Sequence, residues 1–191
     1  TNASALACAL ADALGAYLDR PFALFGYSLG ALLAFETARE LRRRGRATPA
    51  CLFAAARHAP QLPPIHPPLS GLPQEHFLAQ IEHYYQPDDA AWRIPELRDI
   101  VLPILRDDIA LADAYEYTRE APLACPIDVF IGAQDRSVPI TRAEAWREQT
   151  TREFSLDTFP GGHFFMHAAM PQLLQTLGGR LTSLLNAKCV S

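Results

Sequence analysis

A serine bracketed by glycines, Gly26-Tyr27-Ser28-Leu29-Gly30, stands where an apolar run meets a stretch of helical spacing, and few folds accommodate such a joint. Before it, Phe22-Ala-Leu-Phe25 is a short continuous apolar run, as expected of a buried parallel strand. After it, Leu32, Leu33, Ala34, Phe35 and Leu41 recur at helical spacing until Gly45, a natural residue just past a helix end. A serine on so sharp a strand-to-helix turn needs neighbours two positions away that are nearly free of side chain. The helix beginning at Leu29 then aims its free backbone N–H groups, and the positive end of its dipole, at charge developing on the serine's target.

The rest of the chain repeats the alternation. Leu6, Leu10, Leu14 and Leu18 mark a helix over 3–18, ended by Asp19-Arg20-Pro21. Strands are expected at 50–56, 126–131 and 154–159, with helices at 141–151 and about 168–186. Strands alternating with helices imply a mostly parallel sheet covered on both faces, and 191 residues suit a single domain. Between the second and third strands the pattern breaks. Pro60, Pro63, Pro64, Pro67, Pro68 and Pro73 mark a loop, and helices follow around 74–85, 95–106 and 107–117. This insert, about 60–120, is longer than a crossover needs and reads as a lid, a decorative helical pair being the alternative.

A serine hydroxyl is a weak nucleophile until a base takes its proton. In the α/β-hydrolase arrangement the acid and then the histidine follow the serine, on loops after later strands. Asp135 follows the strand 126–131 through Gly132-Ala133-Gln134, and His163 follows 154–159 through Pro160-Gly161-Gly162. Both stand at the C-terminal ends of strands, the edge where open α/β sheets bind ligands. Ser28 is therefore the candidate nucleophile, Asp135 the orienting acid and His163 the general base, with the Leu29 N–H as oxyanion donor. Asp135 also suits a plain turn, and His163 a helix cap. Asp107 and Asp108 are rival acids, but they belong to the insert. His58, His66, His76 and His83 precede the acid, leaving His167 as the rival base.

The remaining features mostly exclude. A formal net charge of -4 gives no electrostatic case for nucleic acid or an anionic membrane, so neither is an expected partner. Arg42, Arg43 and Arg44 close a helix, where cations complement the dipole; a solvated helix end is the reading, with phosphate binding the alternative. Cys8, Cys51, Cys125 and Cys189 lack metal-ligand or disulfide-framework spacing, which suits a reduced, cytoplasmic protein. No apolar run reaches membrane-spanning length, and no signal peptide is visible. A monomer without metal or cofactor is expected.

Longer segments carry a resemblance. Phe25–Glu36, Leu72–Leu78, Leu102–Asp108 with Tyr115, Ala145–Arg147 and Pro160–Phe165 together resemble the type II thioesterases that accompany nonribosomal peptide and polyketide synthases. The resemblance runs from about Pro21 to Leu177. It implies hydrolysis of acyl groups from the phosphopantetheine thiol of acyl or peptidyl carrier domains, so that the substrate carries the only cofactor-like group. It also implies Ser28, Asp135 and His163 in the roles already derived. Phe77, Tyr84, Tyr85, Trp92 and Leu102 of the insert would then be candidate walls of an acyl tunnel. Other esterases of the fold, a thioesterase integrated in a synthase, and an inactive carrier-binding relic are the alternatives. Two departures stand out. Tyr27 replaces the family's usual histidine, which should alter packing around the serine rather than the three polar residues. The family's opening strands, with a glycine-rich loop giving a second oxyanion N–H, find no match here. The expectation is a fragment with an uncovered edge at the strand 22–27 and weak turnover.

Overall fold

The computed structural model describes residues 2–87 and 90–188. Four parallel strands, β1 (Leu24–Tyr27), β2 (Leu52–Ala55), β3 (Ile127–Gly132) and β4 (Phe154–Phe159), lie side by side in sequence order. Helices α1 (Ala3–Leu14), α2 (Leu29–Arg43), α3 (Gln74–Tyr84), α4 (Ala90–Arg93), α5 (Pro95–Asp113), α6 (Ile140–Glu144) and α7 (Phe165–Lys188) connect and cover them.

Every residue of β2 and β3 is buried, and successive side chains serve opposite faces. Leu52, Ala54, Ile127, Val129 and Ile131 join Ala31 and Phe35 of α2 and Trp146 in one core cluster. Phe53, Ala55 and Phe130 join Phe159, Phe165 and Leu173 in the other, beneath α7. Asp128, a buried carboxylate in β3, accepts a hydrogen bond from Ser155 and pairs with Arg180, which fastens α7 to the sheet.

The outer strands are less covered than the apolar run at 22–25 alone suggests, which agrees with the uncovered edge expected at the strand 22–27. β1 is an edge strand, and Phe25 is 43% exposed, because one edge of it has no neighbour among the described residues. Other differences are local. The first helix stops at Leu14 and tightens into a 3₁₀ turn over Gly15–Tyr17. The helices expected at 95–106 and 107–117 are one helix, α5, which runs through Pro103 and ends at Asp113. The helix expected at 141–151 is α6 plus a 3₁₀ turn, Ala145–Gln149. The final helix begins earlier, at Phe165, and kinks at Ala169, where Pro171 removes a backbone donor.

The basic run closes α2 at the surface as expected, with Arg43 and Arg44 exposed, and it is also paired. Arg42 and Arg43 pair with Glu120, while Arg44 pairs with Glu40 and with Asp12 of α1. Their charges are used to bind α2 to its neighbours. Cys8, Cys51 and Cys125 are free thiols, whereas Cys189 lies outside the described residues. Among the described residues no helix is long and apolar enough to cross a membrane.

The insert builds a small core of its own. Leu69, Phe77, Ile81, Trp92, Leu102 and Ile109 pack together, and Arg106 lies over the Phe77 ring. Asp113 Oδ2 accepts the backbone N–H groups of Leu69 and Ser70, which ties the proline-rich loop to the end of α5.

Candidate active site

Ser28 occupies the turn between β1 and α2 with φ 54 and ψ -116, a backbone conformation that costs a non-glycine residue on the order of 1–3 kcal/mol. Its N–H donates to the Ala55 carbonyl at 2.8 Å, so the sheet itself holds the strained turn. A Cβ at Gly26 would meet the Gly30 carbonyl oxygen at 2.1 Å, which explains the first glycine of the motif. The second glycine has no such reason, since a Cβ at Gly30 would meet nothing within 4 Å. The steric demand expected on both sides of the serine falls on one side.

His163 Nε2 lies 3.1 Å from Ser28 Oγ, and its Nδ1 lies 2.9 Å from Asp135 Oδ2. Both His163 and Asp135 are almost wholly buried. The three side chains come from the C-terminal ends of β1, β3 and β4. With Nδ1–H donated to the carboxylate, Nε2 is left as an acceptor facing the serine hydroxyl, the arrangement that proton transfer requires.

Asp135 is a turn former as well. Its Oδ1 accepts the Ser137 N–H at 2.8 Å and the Ser137 hydroxyl at 2.7 Å, while Oδ2 faces the histidine. Ser137 Oγ also lies 2.9 Å from His163 Nδ1, so this buried hydroxyl braces both partners. Sequence reasoning overlooked Ser137, although a serine two residues after an acid in a turn is a recognisable signal.

Gly132 was also overlooked. A Cβ there would meet the carbonyl oxygens of Gly162 and Gly161 at 2.1 and 2.5 Å. The bare glycine lets the acid and histidine loops close on each other, with Gln134 N donating to the Gly161 carbonyl at 2.9 Å. Gly161, at φ 115, takes a conformation unfavourable to other residues.

Tyr27 reaches the histidine rather than merely filling space. Its hydroxyl donates to the His163 carbonyl, and its ring stands edge-on to the imidazole at 6.0 Å. Burial pushes its phenol pKa upward, so the hydroxyl stays a donor. The rivals are placed differently. His167 is on α7, stacked on Phe164, and Asp107 and Asp108 are exposed on α5, where Asp108 lines the cavity at Ser28 but makes no hydrogen bond to His163.

A cavity of about 480 Å³ opens at Ser28 and His163. Leu33, Ile81, Trp92, Leu105 and Ile109 supply an apolar wall, with Leu29 and Gly30 beside the serine. Of the five insert residues expected as walls, Tyr85 and Trp92 line it. Phe77 and Leu102 instead form the insert's core, and Tyr84 lies tilted against His66 and edge-on to His83. The reason is helical phase: α3 turns Phe77 inward and Ile81, one turn on, bridges both environments.

A strand-to-helix serine, an acid and a histidine after later strands, and a cavity at that sheet edge define a hydrolase of the α/β type. The thioesterase domain model matches residues 1–181. The chain is 35% identical over 188 residues to the gramicidin S biosynthesis protein GrsT of Aneurinibacillus migulanus, covering 98% of this chain and 73% of that protein. Among solved structures, the RedJ thioesterase of the Streptomyces coelicolor prodiginine pathway superposes with a TM-score of 0.85 at 36% identity, over 93% of this chain and 67% of RedJ. BorB, a type II thioesterase from the borrelidin biosynthetic cluster, gives 0.84 at 33% identity, over 94% and 73%. The chain belongs to the thioesterase domain family, enzymes that hydrolyse thioesters.

Proposed function

We propose that this chain removes acyl groups from the phosphopantetheine thiol of carrier domains in a nonribosomal peptide or polyketide synthase, by a Ser28–His163–Asp135 acyl-enzyme mechanism. The observation that carries the reading is the unbroken relay from Ser28 Oγ through His163 to Asp135, at 3.1 and 2.9 Å, opening on an apolar cavity. The carrier-bound substrate is supported by the chain's similarity to ClbQ and YbtT, thioesterase-fold proteins of the colibactin and yersiniabactin NRPS/PKS pathways.

His163 Nε2 takes the Ser28 proton as Oγ attacks the thioester carbonyl. The Leu29 N–H, at the N-terminus of α2, faces the resulting oxyanion. Collapse breaks the C–S bond, and His163 returns the proton to the departing pantetheine thiolate. Water then enters, His163 deprotonates it, and its oxygen attacks the Ser28 ester. A second collapse breaks the ester C–O bond as His163 gives its proton to Ser28 Oγ, which releases the carboxylic acid and restores the serine. Asp135 keeps the imidazole in the productive tautomer and stabilises its cation at each step. The insert acts as a lid that shields the acyl chain from water, and the protein works as a cytoplasmic monomer.

Rates on acyl-pantetheine thioesters and matched oxygen esters, with fluorophosphonate labelling, test this. A thioester preference and a label on Ser28, both lost in Ser28→Ala, are expected. Preferred oxygen-ester turnover would point to another esterase, and an unlabelled serine to a relic. Retention of more than a few per cent of turnover by Ser28→Ala would refute the nucleophile.

A further inference from the structure

The wall of the cavity contains a cation with no ion-pair partner among the described residues, although Asp108 lines the same cavity and Asp113 acts on it electrostatically. Arg57 follows β2 and lines the 480 Å³ cavity together with Ser28 and His163. It also lines a smaller adjoining cavity that the same two residues border. Among the described residues no carboxylate lies within ion-pairing distance of it, and its buried Nε has no hydrogen-bond partner, a lack it shares with the Nε atoms of Arg39 and Arg142.

The other arginines held in the interior are engaged differently. Arg39 has Glu36 and Glu120, and Arg106 has the carbonyls of Ser70 and Leu72. The nearby Asp113 carboxylate is already occupied by two backbone N–H groups. Burial lowers the Arg57 pKa and outweighs the opposing pull of Tyr85, Tyr115 and Asp113.

Its position is nevertheless fixed. The preceding Ala56 stands at φ 52, a strained value for alanine, with its N–H donated to the Phe130 carbonyl at 2.8 Å. The Arg57 carbonyl accepts the Trp146 indole N–H at 2.9 Å. A strained, doubly anchored backbone thus presents an unpaired guanidinium to a cavity whose other walls are largely apolar. A partly buried guanidinium without an ion-pair partner is costly, and a ligand oxygen would relieve that cost.

We propose that Arg57 is a specificity-determining residue, selecting acyl groups that carry an acceptor oxygen, an oxo group or a carboxylate, over plain alkanoyl chains. The inference rests on the thioesterase reading of Ser28 and its cavity. Guanidinium is a fork of donors, so a carboxylate engages it through two hydrogen bonds and an oxo group through one.

Three pantetheine thioesters of equal chain length separate the sources: hexanoyl, β-oxohexanoyl and adipoyl. The protein should favour at least one oxygenated substrate in kcat/KM by about tenfold or more. Arg57→Met should cut that ratio at least about tenfold, and Arg57→Lys, which keeps the cation, should retain part of it for adipoyl. Melting curves identify a variant that fails to fold, and the wild-type ratio stands independently of both variants. A wild-type hexanoyl preference, or ratios unchanged in a folded Arg57→Met, would overturn the inference while leaving the thioesterase reading intact. Absence of thioester hydrolysis on all three by the wild type would overturn that reading, and the inference with it.

Discussion

Gly132→Ala puts a single methyl group where β3 and the histidine loop touch. The added Cβ would meet the Gly162 oxygen at 2.1 Å, the Gly161 oxygen at 2.5 Å and the Gly162 carbonyl carbon at 2.9 Å, against ordinary contacts from 3.4 Å. All three obstacles are backbone, so no rotamer change relieves them. The loop must retreat by more than about 1 Å, and His163 follows directly after Gly162. A displacement of that size at a reacting group costs about 100-fold in rate. Overpacking costs about 1–3 kcal/mol, and loss of the Gln134–Gly161 hydrogen bond about 1 kcal/mol more. We expect kcat on an acyl-pantetheine thioester, followed by thiol release, to fall about 100-fold, with a destabilisation of about 2–4 kcal/mol in urea unfolding. Gly178→Ala, where a Cβ would meet nothing within 4 Å, is the control and should be neutral or stabilising. A Gly132→Ala protein with wild-type kcat and unfolding midpoint would refute this account of how the two loops are held together.

Other consequences are equally direct. His163→Ala should lose at least about 1000-fold in kcat, whereas His167→Ala should lose less than about tenfold; equal losses in folded variants would contradict the assignment. Ser137→Ala removes the hydroxyl that braces Asp135 and His163, and should lower kcat about tenfold with KM unchanged, so a KM-only effect would argue against a positioning role. Burial, reinforced by the Arg57 and Arg142 charges, lowers the His58 pKa to about 3 from an ordinary value near 6.5. The unfolded chain therefore takes up the proton first, so stability is full above about pH 6.5 and declines as pH falls toward 3. At about pH 4.5 the loss should approach 2–3 kcal/mol by urea unfolding, and His58→Gln should flatten this dependence; an unaltered pH profile in that variant would count against His58 as its source.

The sequence by itself determined the alternation of elements, the serine turn and the chain order of serine, acid and histidine. These are readable because each rests on local chemistry: apolar runs, helical spacing, and glycines where side chains cannot fit. The strand Phe154–Phe159 has the expected limits, and the three polar residues stand after the expected strands. What the sequence misjudged depended on contacts between distant segments. Whether α5 breaks near residue 106 is settled by the insert's packing around Leu102 and Ile109 rather than by local propensity. Gly132 matters only because the β3 and β4 loops converge, and Ser137, whose turn with Asp135 is local, reaches His163 only through that convergence. The pairing of Arg42, Arg43 and Arg44, and the lack of any pairing at Arg57, were likewise decided by tertiary structure. A charge is neutralised or left bare according to what the fold brings within a few ångströms of it, and residues far apart along the chain make that choice.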